Sequence, residues 1–286
     1  MEFQTNKNIV VLYHKKCPDG FSGAWAAWKK FGDSAEYVPM PPGSDAPHME
    51  GKEVYCIDYI PDNPSGLKDF IFRNKSVIAI DHHASNESSV PLFTGSKFDK
   101  NKCGSMLAWE YFFPKQPVPT LLKYVQDVDL WQWKLSNSNE FALYVGTVDF
   151  TFLAWEQLRA DFENEKIRAD IIKQAQLLMK DKRKHIQDSI EDDAQLVIFE
   201  CLEILAINAT IDGSFMGNAL IERKPPMSIV WVESKDDIHV GLRSNGDVDV
   251  SVIAKKYGGG GHPKASGFGW PLGKEKPWKI IKKDEK

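Results

Sequence analysis

Several features are scarce in this sequence of 286 residues, and each absence narrows the class of protein. No apolar run approaches the roughly 18 residues of a membrane-spanning helix. The first residues, MEFQTNKNIVV, show no basic segment followed by a long apolar stretch, so we expect neither a membrane partner nor a secretory signal. The cysteines, at positions 17, 56, 103 and 201, are too scattered for a disulfide framework. These features predict a cytoplasmic protein.

An excess of basic residues is also missing, because the formal net charge is −4. Proteins that grip long nucleic acid by its phosphate backbone usually carry basic surfaces. Long duplex nucleic acid is therefore not an expected partner, although a local positive pocket for a small phosphorylated ligand stays open. Hydrophobic residues make up 42% of the sequence, which is enough for one or two domains with sizeable cores.

Three short apolar runs near the start predict β-strands. They are Ile9–Tyr13, Val54–Ile57 and Val77–Ile80, and each is continuously apolar, as is typical of central parallel strands covered on both faces. Helix-like segments separate them, one ending at Gly32 and one with Pro64 in its first turn. This alternation predicts an α/β fold whose N-terminal domain is a doubly wound parallel sheet.

The character of the sequence changes after this region. Residues 152–193 are highly charged and carry apolar residues at helical spacing, which predicts a long connecting helix. From about residue 195, short β-rich runs broken by Gly, Asn and Asp predict a second, smaller α/β domain. We therefore expect domains over residues 1–150 and 195–286, joined by a helical connector over 151–194.

The three predicted strands all end in polar residues, which are His14, Asp58 and the run Asp81, His82 and His83. The carboxyl ends of parallel strands share one edge of the sheet, where open α/β folds bind their ligands. Carboxylates and imidazoles gathered at one place suit Mn, Fe or Zn, and a two-metal site needs a bridging group. Each piece alone is more often a structural or surface feature, such as an ordinary turn, than a metal site. Together they predict a metal site.

A run of four glycines lies in KKYGGGGHPKASG, residues 255–267. Ordering such a run costs conformational entropy, so it indicates a flexible linker or a backbone that approaches a ligand closely. The continuation into His-Pro-Lys-Ala-Ser-Gly favours ligand contact. Backbone N–H groups with His262 and Lys264 nearby could cradle an anion. Arg243 could clamp a phosphate with two hydrogen bonds, and a surface arginine is an equally consistent interpretation.

These motifs resemble the DHH phosphoesterase superfamily with a C-terminal DHHA1 domain. The segment IDHHAS resembles the motif that names the superfamily, and HVGLRSNGDVDVSVIAKKYGGGGHPKASGF resembles the DHHA1 signature. The resemblance covers nearly the whole chain. The superfamily includes manganese pyrophosphatases, single-strand exonucleases, nanoRNases, cyclic dinucleotide phosphodiesterases and exopolyphosphatase-like proteins. The pyrophosphatases lack the glycine-rich signature and are the least expected.

The resemblance implies two divalent ions, usually Mn²⁺, with Zn²⁺, Fe²⁺ or Mg²⁺ as alternatives. Asp58 would bridge them and His14 would hold the first ion. The second ion would be held by Asp19, His82 and Asp127. By its position in the family's fourth motif, Asp127 is favoured over Asp129.

The resemblance also assigns groups around the substrate. His83 would face the substrate phosphate, and Asp81 would orient His82, because metal-binding histidines generally have an outer partner. The nucleotide or its terminal phosphate would be bound by Arg243, Gly259, Gly260 and His262.

One departure from the family pattern concerns the first motif. Many members carry Asp-x-Asp there, whereas this chain reads Cys17-Pro18-Asp19-Gly20. A subgroup with His-x-x-Cys-x-Asp-Gly shares this feature. We hypothesise that Cys17 is a ligand or lies beside the first ion, where a thiolate would favour Zn or Fe. If Cys17 is not a ligand, the first site is weak.

The resulting hypothesis is a two-metal phosphoesterase in which a metal-activated water cleaves short nucleotide substrates, as oligoribonucleases and exonucleases do. An exopolyphosphatase-like hydrolase is the alternative. A nucleotide site needs a stacking surface beside the phosphates, which would discriminate the two. A third alternative is a nucleotide-binding regulatory module whose catalysis is weakened by Cys17. The oligomeric state stays open, and a homodimer is one option.

Overall fold

The computed structural model describes residues 5–61 and 63–281. The chain divides into two compact units, Met1–Gln176 and Leu177–Lys286, and the division falls inside one long helix. Within the described ranges, no helix combines the length and the apolar character needed to cross a bilayer. The domain limits expected near residues 150 and 194 stay a prediction.

The first unit is built on a five-stranded parallel sheet with the order β2-β1-β3-β4-β5. Its strands are β1 (Ile9–His14), β2 (Ala35–Met40), β3 (Glu53–Ile57), β4 (Ser76–Asp81) and β5 (Gly95–Phe98). The three predicted strands are confirmed as the central ones. The sequence pattern missed β2 and β5, because edge strands lack a continuous apolar run, and β2 contains Pro39, which only an edge or a bulge tolerates.

Helices cover both faces of this sheet, as the doubly wound fold predicts. On one face lie α1 (Pro18–Phe31) and α3 (Gly104–Phe112), and on the other lies α2 (Pro64–Arg73). Three more helices, α4 (Thr120–Asp129), α5 (Ser138–Val145) and α6 (Phe152–Glu163), pack against α1, α3 and one another. Alternate residues of β1 enter different cores, since successive strand side chains point to opposite faces. Val11 packs in a cluster with Trp25 of α1, and Leu12 packs in a cluster with Leu67 of α2.

The connector differs from the single helix that the sequence predicts. It consists of α6 and of α7 (Glu165–Asp193), and the chain breaks between them at Asn164. The Asn164 side chain accepts hydrogen bonds from the backbone N–H groups of Lys166 and Ile167 at the start of α7. Asparagine competes for backbone donors in this way and so favours helix starts over helix interiors.

The second unit contains a seven-stranded mixed sheet with the order β10-β11-β9-β8-β7-β6-β12. Its strands are β6 (Gln195–Phe199), β7 (Leu202–Asn208), β8 (Met227–Glu233), β9 (Asp237–Ser244), β10 (Gly260–His262), β11 (Ala265–Pro271) and β12 (Lys279–Ile280). Two further helices, α8 (Gly213–Arg223) and α9 (Val250–Lys256), pack in separate apolar clusters of this unit. The expectation of a second, smaller α/β domain is confirmed.

A substitution at Gly23 tests the close packing of α1 on the sheet. A Cβ added there would lie 2.4 Å from Cγ2 of the buried Ile57. We expect Gly23→Ala to lower the free energy of unfolding by about 1–3 kcal/mol, because overpacking a filled core forces neighbours to move. Urea denaturation followed by tryptophan fluorescence measures this change.

Gly146→Ala is the matched control for that substitution. Gly146 has a φ of −66°, and its added Cβ would meet nothing closer than 3.4 Å. The control should leave stability unchanged or raise it by less than about 1 kcal/mol. Equal effects at the two positions would contradict the packing of α1 against β3.

Candidate metal centre

The carboxyl ends of the central strands bring the predicted polar residues together. β1 ends at His14, Asp58 follows β3 directly, and β4 leads into His82. In the sheet, β2 lies on one side of β1, and β3 and β4 follow on the other side. The order of the strands therefore reverses at β1. Open α/β folds form their binding crevices at such a point. The edge expected from the sequence is the edge observed.

Asp58 occupies the centre of this group. Its Oδ2 lies 3.1 Å from His14 Nδ1, and its Oδ1 lies 3.1 Å from His82 Nε2. The residue has a left-handed φ of 54°, and its backbone N–H donates to the carbonyl of Ile80 in β4. Burial raises the pKa of Asp58, but the hydrogen bonds with His14 and His82 outweigh burial and hold the pKa below its usual range. One oxygen therefore faces each histidine, which is the placement that a bridging carboxylate requires.

A second group of candidate metal ligands surrounds His82. Its Nε2 lies 3.7 Å from Asp19 Oδ2 and 3.6 Å from Asp129 Oδ2, and the ring is fully buried. Burial opposes protonation of His82, but the hydrogen bond with Asp58 and the charge of Asp129 raise its pKa to about 10. Among the described residues, no group donates a hydrogen bond to the buried Oδ2 of Asp129. Burial and the charge of Asp19 raise the pKa of Asp129 well above its ordinary value.

Asp19 is held by the start of α3. Its Oδ2 accepts a hydrogen bond from Gly104 N at 2.6 Å, and its Oδ1 accepts one from Ser105 N at 2.8 Å. The N-terminal amides of a helix favour a negative charge. A Cβ on Gly104 would lie 2.7 Å from Cβ of Asp58, so glycine is required there. Sequence reasoning missed this support, because backbone donors carry no side-chain signal.

The remaining group consists of His14, Cys17 and Asp58. One donor atom from each lies within 4.8 Å of the others. Burial raises the pKa of the Cys17 thiol well above its ordinary value, and the charges of Asp58 and Asp129 raise it further. Cys17 thus lies beside Asp58, and its raised pKa favours the thiol form. A bound metal ion stabilises the thiolate form of a coordinating cysteine.

The spacing of these donors fits metal coordination. Bonds of about 2.0–2.2 Å from an ion to nitrogen or oxygen place neighbouring ligand atoms roughly 3–3.6 Å apart. The distances around His82 Nε2, from 3.1 to 3.7 Å, lie close to this range. The clustered buried carboxylates also need positive charge, since buried like charges repel strongly. The two donor groups share Asp58, and together they suit a pair of divalent cations.

The placement of Asp127 requires a correction. Its oxygens accept hydrogen bonds from the backbone N–H groups of Lys134 and Leu135, at 2.9 and 3.1 Å, and from Ser138 Oγ at 2.5 Å. These donors organise the loop between α4 and α5. Asp129 lies beside His82 instead. Residues two apart on a helix point about 200° away from each other, so only one of the two aspartates can face the strand ends.

The assignment of Asp81 also changes. Its carboxylate is buried and accepts hydrogen bonds from His83 Nδ1 at 2.8 Å and from Asn86 Nδ2 at 2.6 Å. Burial opposes protonation of His83, but the bond to Asp81 raises the pKa of His83 to about 9. Asp81 therefore supports His83, whereas the resemblance implied that it orients His82. The His83 side chain remains 23% exposed.

The predicted substrate-binding residues lie in the second unit. On β9, Arg243 donates from Nη1 to the carbonyl of Leu242 at 2.8 Å and from Nη2 to Ser214 Oγ at 2.9 Å. Burial lowers the pKa of Arg243 to about 10. A Cβ at Gly217 of α8 would lie 2.6 Å from Cγ of Arg243, so this glycine makes room for the arginine.

The glycine run forms a turn and an edge strand. It is neither a linker nor an open loop, because Gly260 begins β10, which pairs with β11. A Cβ on Gly259 would lie 2.0 Å from the carbonyl of Gly267, so close packing of the chain explains that glycine without a ligand. The position of Gly260 is open. His262 and Arg243 both pair with Ala265 of β11, from opposite sides.

Paired residues of neighbouring strands share one face of a sheet. His262 and Arg243 therefore lie on the same face, two strand spacings or roughly 10 Å apart. This arrangement supplies an imidazole and a guanidinium side by side, with the small Ala265 between them. Such a face can bind a phosphate group.

Comparisons with known proteins agree with this architecture. Residues 207–282 match the DHHA1 domain family. The chain is 30% identical to protein R106 of Acanthamoeba polyphaga mimivirus over 295 residues, which cover 93% of this chain and 68% of R106. It is 26% identical to the oligoribonuclease NrnB of Bacillus subtilis over 239 residues, and the match spans 72% of this chain and 56% of NrnB.

Among solved structures, the fold is similar to that of an exopolyphosphatase-related protein from Bacteroides fragilis. The TM-score is 0.57 at 14% identity, and the match covers 94% of this chain and 88% of that chain. The fold and the match over residues 207–282 define the class as an α/β protein with a DHHA1 domain. The chain belongs to the DHH superfamily of phosphoesterases.

A pair of substitutions separates the roles of the two α4 aspartates. We expect Asp129→Asn to weaken Mn²⁺ binding by more than about tenfold, since even losing a partner of a ligand costs about 10–100-fold. The same change removes repulsion from Asp19, so it should not destabilise the metal-free protein. Isothermal titration with Mn²⁺ and urea denaturation in chelator measure the two effects.

Asp127→Asn is the counterpart in that experiment. It weakens charge-assisted hydrogen bonds to the loop after α4 and should cost about 1.5–3 kcal/mol of stability. Mn²⁺ affinity should stay close to wild type in the folded variant. The reverse pattern, with metal affinity lost in Asp127→Asn and kept in Asp129→Asn, would restore Asp127 as the candidate ligand.

Proposed function

We propose that this protein is a two-metal phosphoesterase that hydrolyses phosphodiester or phosphomonoester bonds of short nucleotide substrates. His14, Cys17 and Asp58 would hold the first divalent ion, for which Mn²⁺ is the expected metal. Asp58, Asp19, His82 and Asp129 would hold the second. The observation that carries the proposal is the central position of Asp58, whose two oxygens face two separate donor groups at 3.1 Å.

The ions would supply Lewis-acid charge and would acidify a water near neutral pH. The protein's own groups then orient the reaction. Asp58 is fixed between the two histidines, and the α3 amides hold the Asp19 carboxylate toward His82. His83, held at Nδ1 by Asp81, would donate a hydrogen bond to a phosphoryl oxygen of the substrate. Such preorganised donors stabilise the charge that develops in phosphoryl transfer.

The second unit would contribute further groups that bind the substrate. Arg243 is already oriented by Leu242 and Ser214, so the direction of its guanidinium is fixed before a ligand arrives. Arg243, Gly260 and His262 share the β9–β11–β10 region, where Gly260 leaves space for a ligand to approach the backbone. The similarity to an oligoribonuclease over 72% of this chain supports short oligonucleotides as the substrate class.

A substrate panel tests this function. Purified protein with Mn²⁺ should hydrolyse dinucleotides and short oligoribonucleotides faster than inorganic polyphosphate, and it should bind two ions per chain by equilibrium dialysis and metal analysis. Cyclic dinucleotides and 3′-phosphoadenosine 5′-phosphate complete the panel. Preferred cleavage of polyphosphate would favour an exopolyphosphatase. Binding of nucleotide with one ion or none and no cleavage would favour a regulatory module.

The dependence on Asp58 is the sharpest test of the site. Asp58→Asn should reduce hydrolysis to the background rate, because a neutral amide cannot bridge two cations as a carboxylate does. The matched control is Asp69→Asn on α2, where the carboxylate is 55% exposed and pairs with Arg73 on the surface. Surface pairs of this kind contribute little, so the control should keep full activity. Retained hydrolysis in Asp58→Asn would exclude the proposed centre.

Cys17 is expected to set the metal preference of the first site. Cys17→Ser replaces a soft donor with a hard one, so the ratio of Zn²⁺ to Mn²⁺ affinity should fall. Competition titrations of the two metals against wild type and variant measure this ratio. An unchanged ratio together with an unchanged rate of hydrolysis would remove Cys17 from the ligand set.

A further inference from the structure

Two tryptophans follow the candidate ligand Asp129 in an unusual backbone conformation. Trp131 and Trp133 have φ values of 54° and 55°. Bulky residues seldom adopt this left-handed region, because the Cβ crowds the backbone at a cost of about 1–2 kcal/mol per residue. Strained positions persist only where the surrounding structure enforces them, and they concentrate at functional sites.

Hydrogen bonds to Asp127 hold the chain in this conformation. Its carbonyl accepts hydrogen bonds from the backbone N–H groups of Gln132 and Trp133, at 2.9 and 3.4 Å. Its carboxylate accepts from Lys134 and Leu135. The chain therefore curls back on the end of α4, and the segment that carries both tryptophans is fixed at several points. The buried Asp127 serves this loop, which explains why it does not face the strand ends.

The two indoles lie outside the hydrophobic cores. Their ring centroids are 4.8 Å apart at an interplanar angle of 76°, and both residues are partly buried. Neither ring belongs to an apolar cluster formed by the described residues, whereas the preceding Leu130 packs against the main one. Within the same described ranges, the covered indole N–H of Trp133 has no hydrogen-bond acceptor. Leaving such a donor unpaired costs about 1–3 kcal/mol.

Core packing thus does not explain why two large aromatic residues occupy strained positions here. Their position in the chain, shortly after Asp129, suggests a functional reason. Two residues of chain span at most about 7 Å, so the backbone of Trp131 lies within that distance of the backbone of Asp129, whose Oδ2 is 3.6 Å from His82. The loop that carries the indole pair therefore starts beside the candidate metal centre.

We propose that Trp131 and Trp133 bind a nucleobase of the substrate beside the metal centre. The inference rests on the proposed function, because it names the substrate feature that this site recognises. Stacking of a base on an aromatic side chain is tolerant of base identity and favours nucleotides over inorganic phosphate chains. A base or ribose acceptor that reaches the Trp133 N–H would also satisfy that donor. The hydrogen bonds to Asp127 fix the backbone that carries both rings before the substrate arrives.

Adenosine 5′-monophosphate and ribose 5-phosphate form a matched pair of probes, since they differ only in the base. Isothermal titration in Mn²⁺ needs no turnover and measures the ratio of their affinities. The wild-type protein should bind the nucleotide about 10- to 100-fold more tightly, the effect of one base–aromatic stack. Trp131→Ala and Trp133→Ala should each reduce this ratio. Trp131→Phe should restore most of it, because a ring remains.

Phe72→Ala is the control, since Phe72 is 89% exposed on α2 and should not affect the ratio. Thermal unfolding checks that each variant is folded, and Trp131→Phe together with its counterpart Trp133→Phe covers the case in which an alanine variant does not fold. The inference is overturned if both ligands bind the wild type equally, if neither binds, or if folded alanine variants keep the wild-type ratio. A base-dependent ratio without hydrolysis would contradict the phosphoesterase proposal alone.

Discussion

The burial of several carboxylates around a single imidazole is the constraint on which the rest of this site depends. Asp19, Asp58 and Asp129 all place an oxygen within 4 Å of His82 Nε2. Removing even one ion from water costs several kcal/mol, and like charges in one site repel. Asp58 is compensated by two histidines, whereas burial raises the pKa of both Asp19 and Asp129. A pair of cations would remove this cost, which is the physical basis for the proposed centre.

The scaffold fixes the donors through its backbone. Parallel strands stand about 4.8 Å apart, so residues at the same end of neighbouring strands are held near one another whatever their separation in sequence. The left-handed Asp58 turns its carboxylate between β1 and β4, and the N-terminus of α3 holds Asp19 with two amides. The space around Asp58 is so limited that position 104 accepts no side chain. The backbone therefore holds the candidate ligands in place.

The end of α4 shows how neighbouring residues divide between structure and chemistry. Asp129 faces His82, while Asp127 points the other way and organises the loop that carries Trp131 and Trp133. The same division occurs after β4, where His82 lies among carboxylates and His83 is held by Asp81. In both places one residue belongs to the group of candidate ligands, and its neighbour in the sequence forms hydrogen bonds with residues outside that group.

The sequence by itself determined the central strands, the doubly wound class and the donors at the strand ends, because apolar periodicity and strand-end chemistry are local properties. His14, Asp58 and His82 converge as their positions in the sequence predict. Only the tertiary structure showed the edge strands β2 and β5, the break at Asn164, the position of Asp129 beside His82 and the partner of Asp81. Each of these depends on a side chain's direction or on a backbone donor from a distant segment. For two aspartates that lie two residues apart on one helix, the sequence alone does not show which one faces the strand ends.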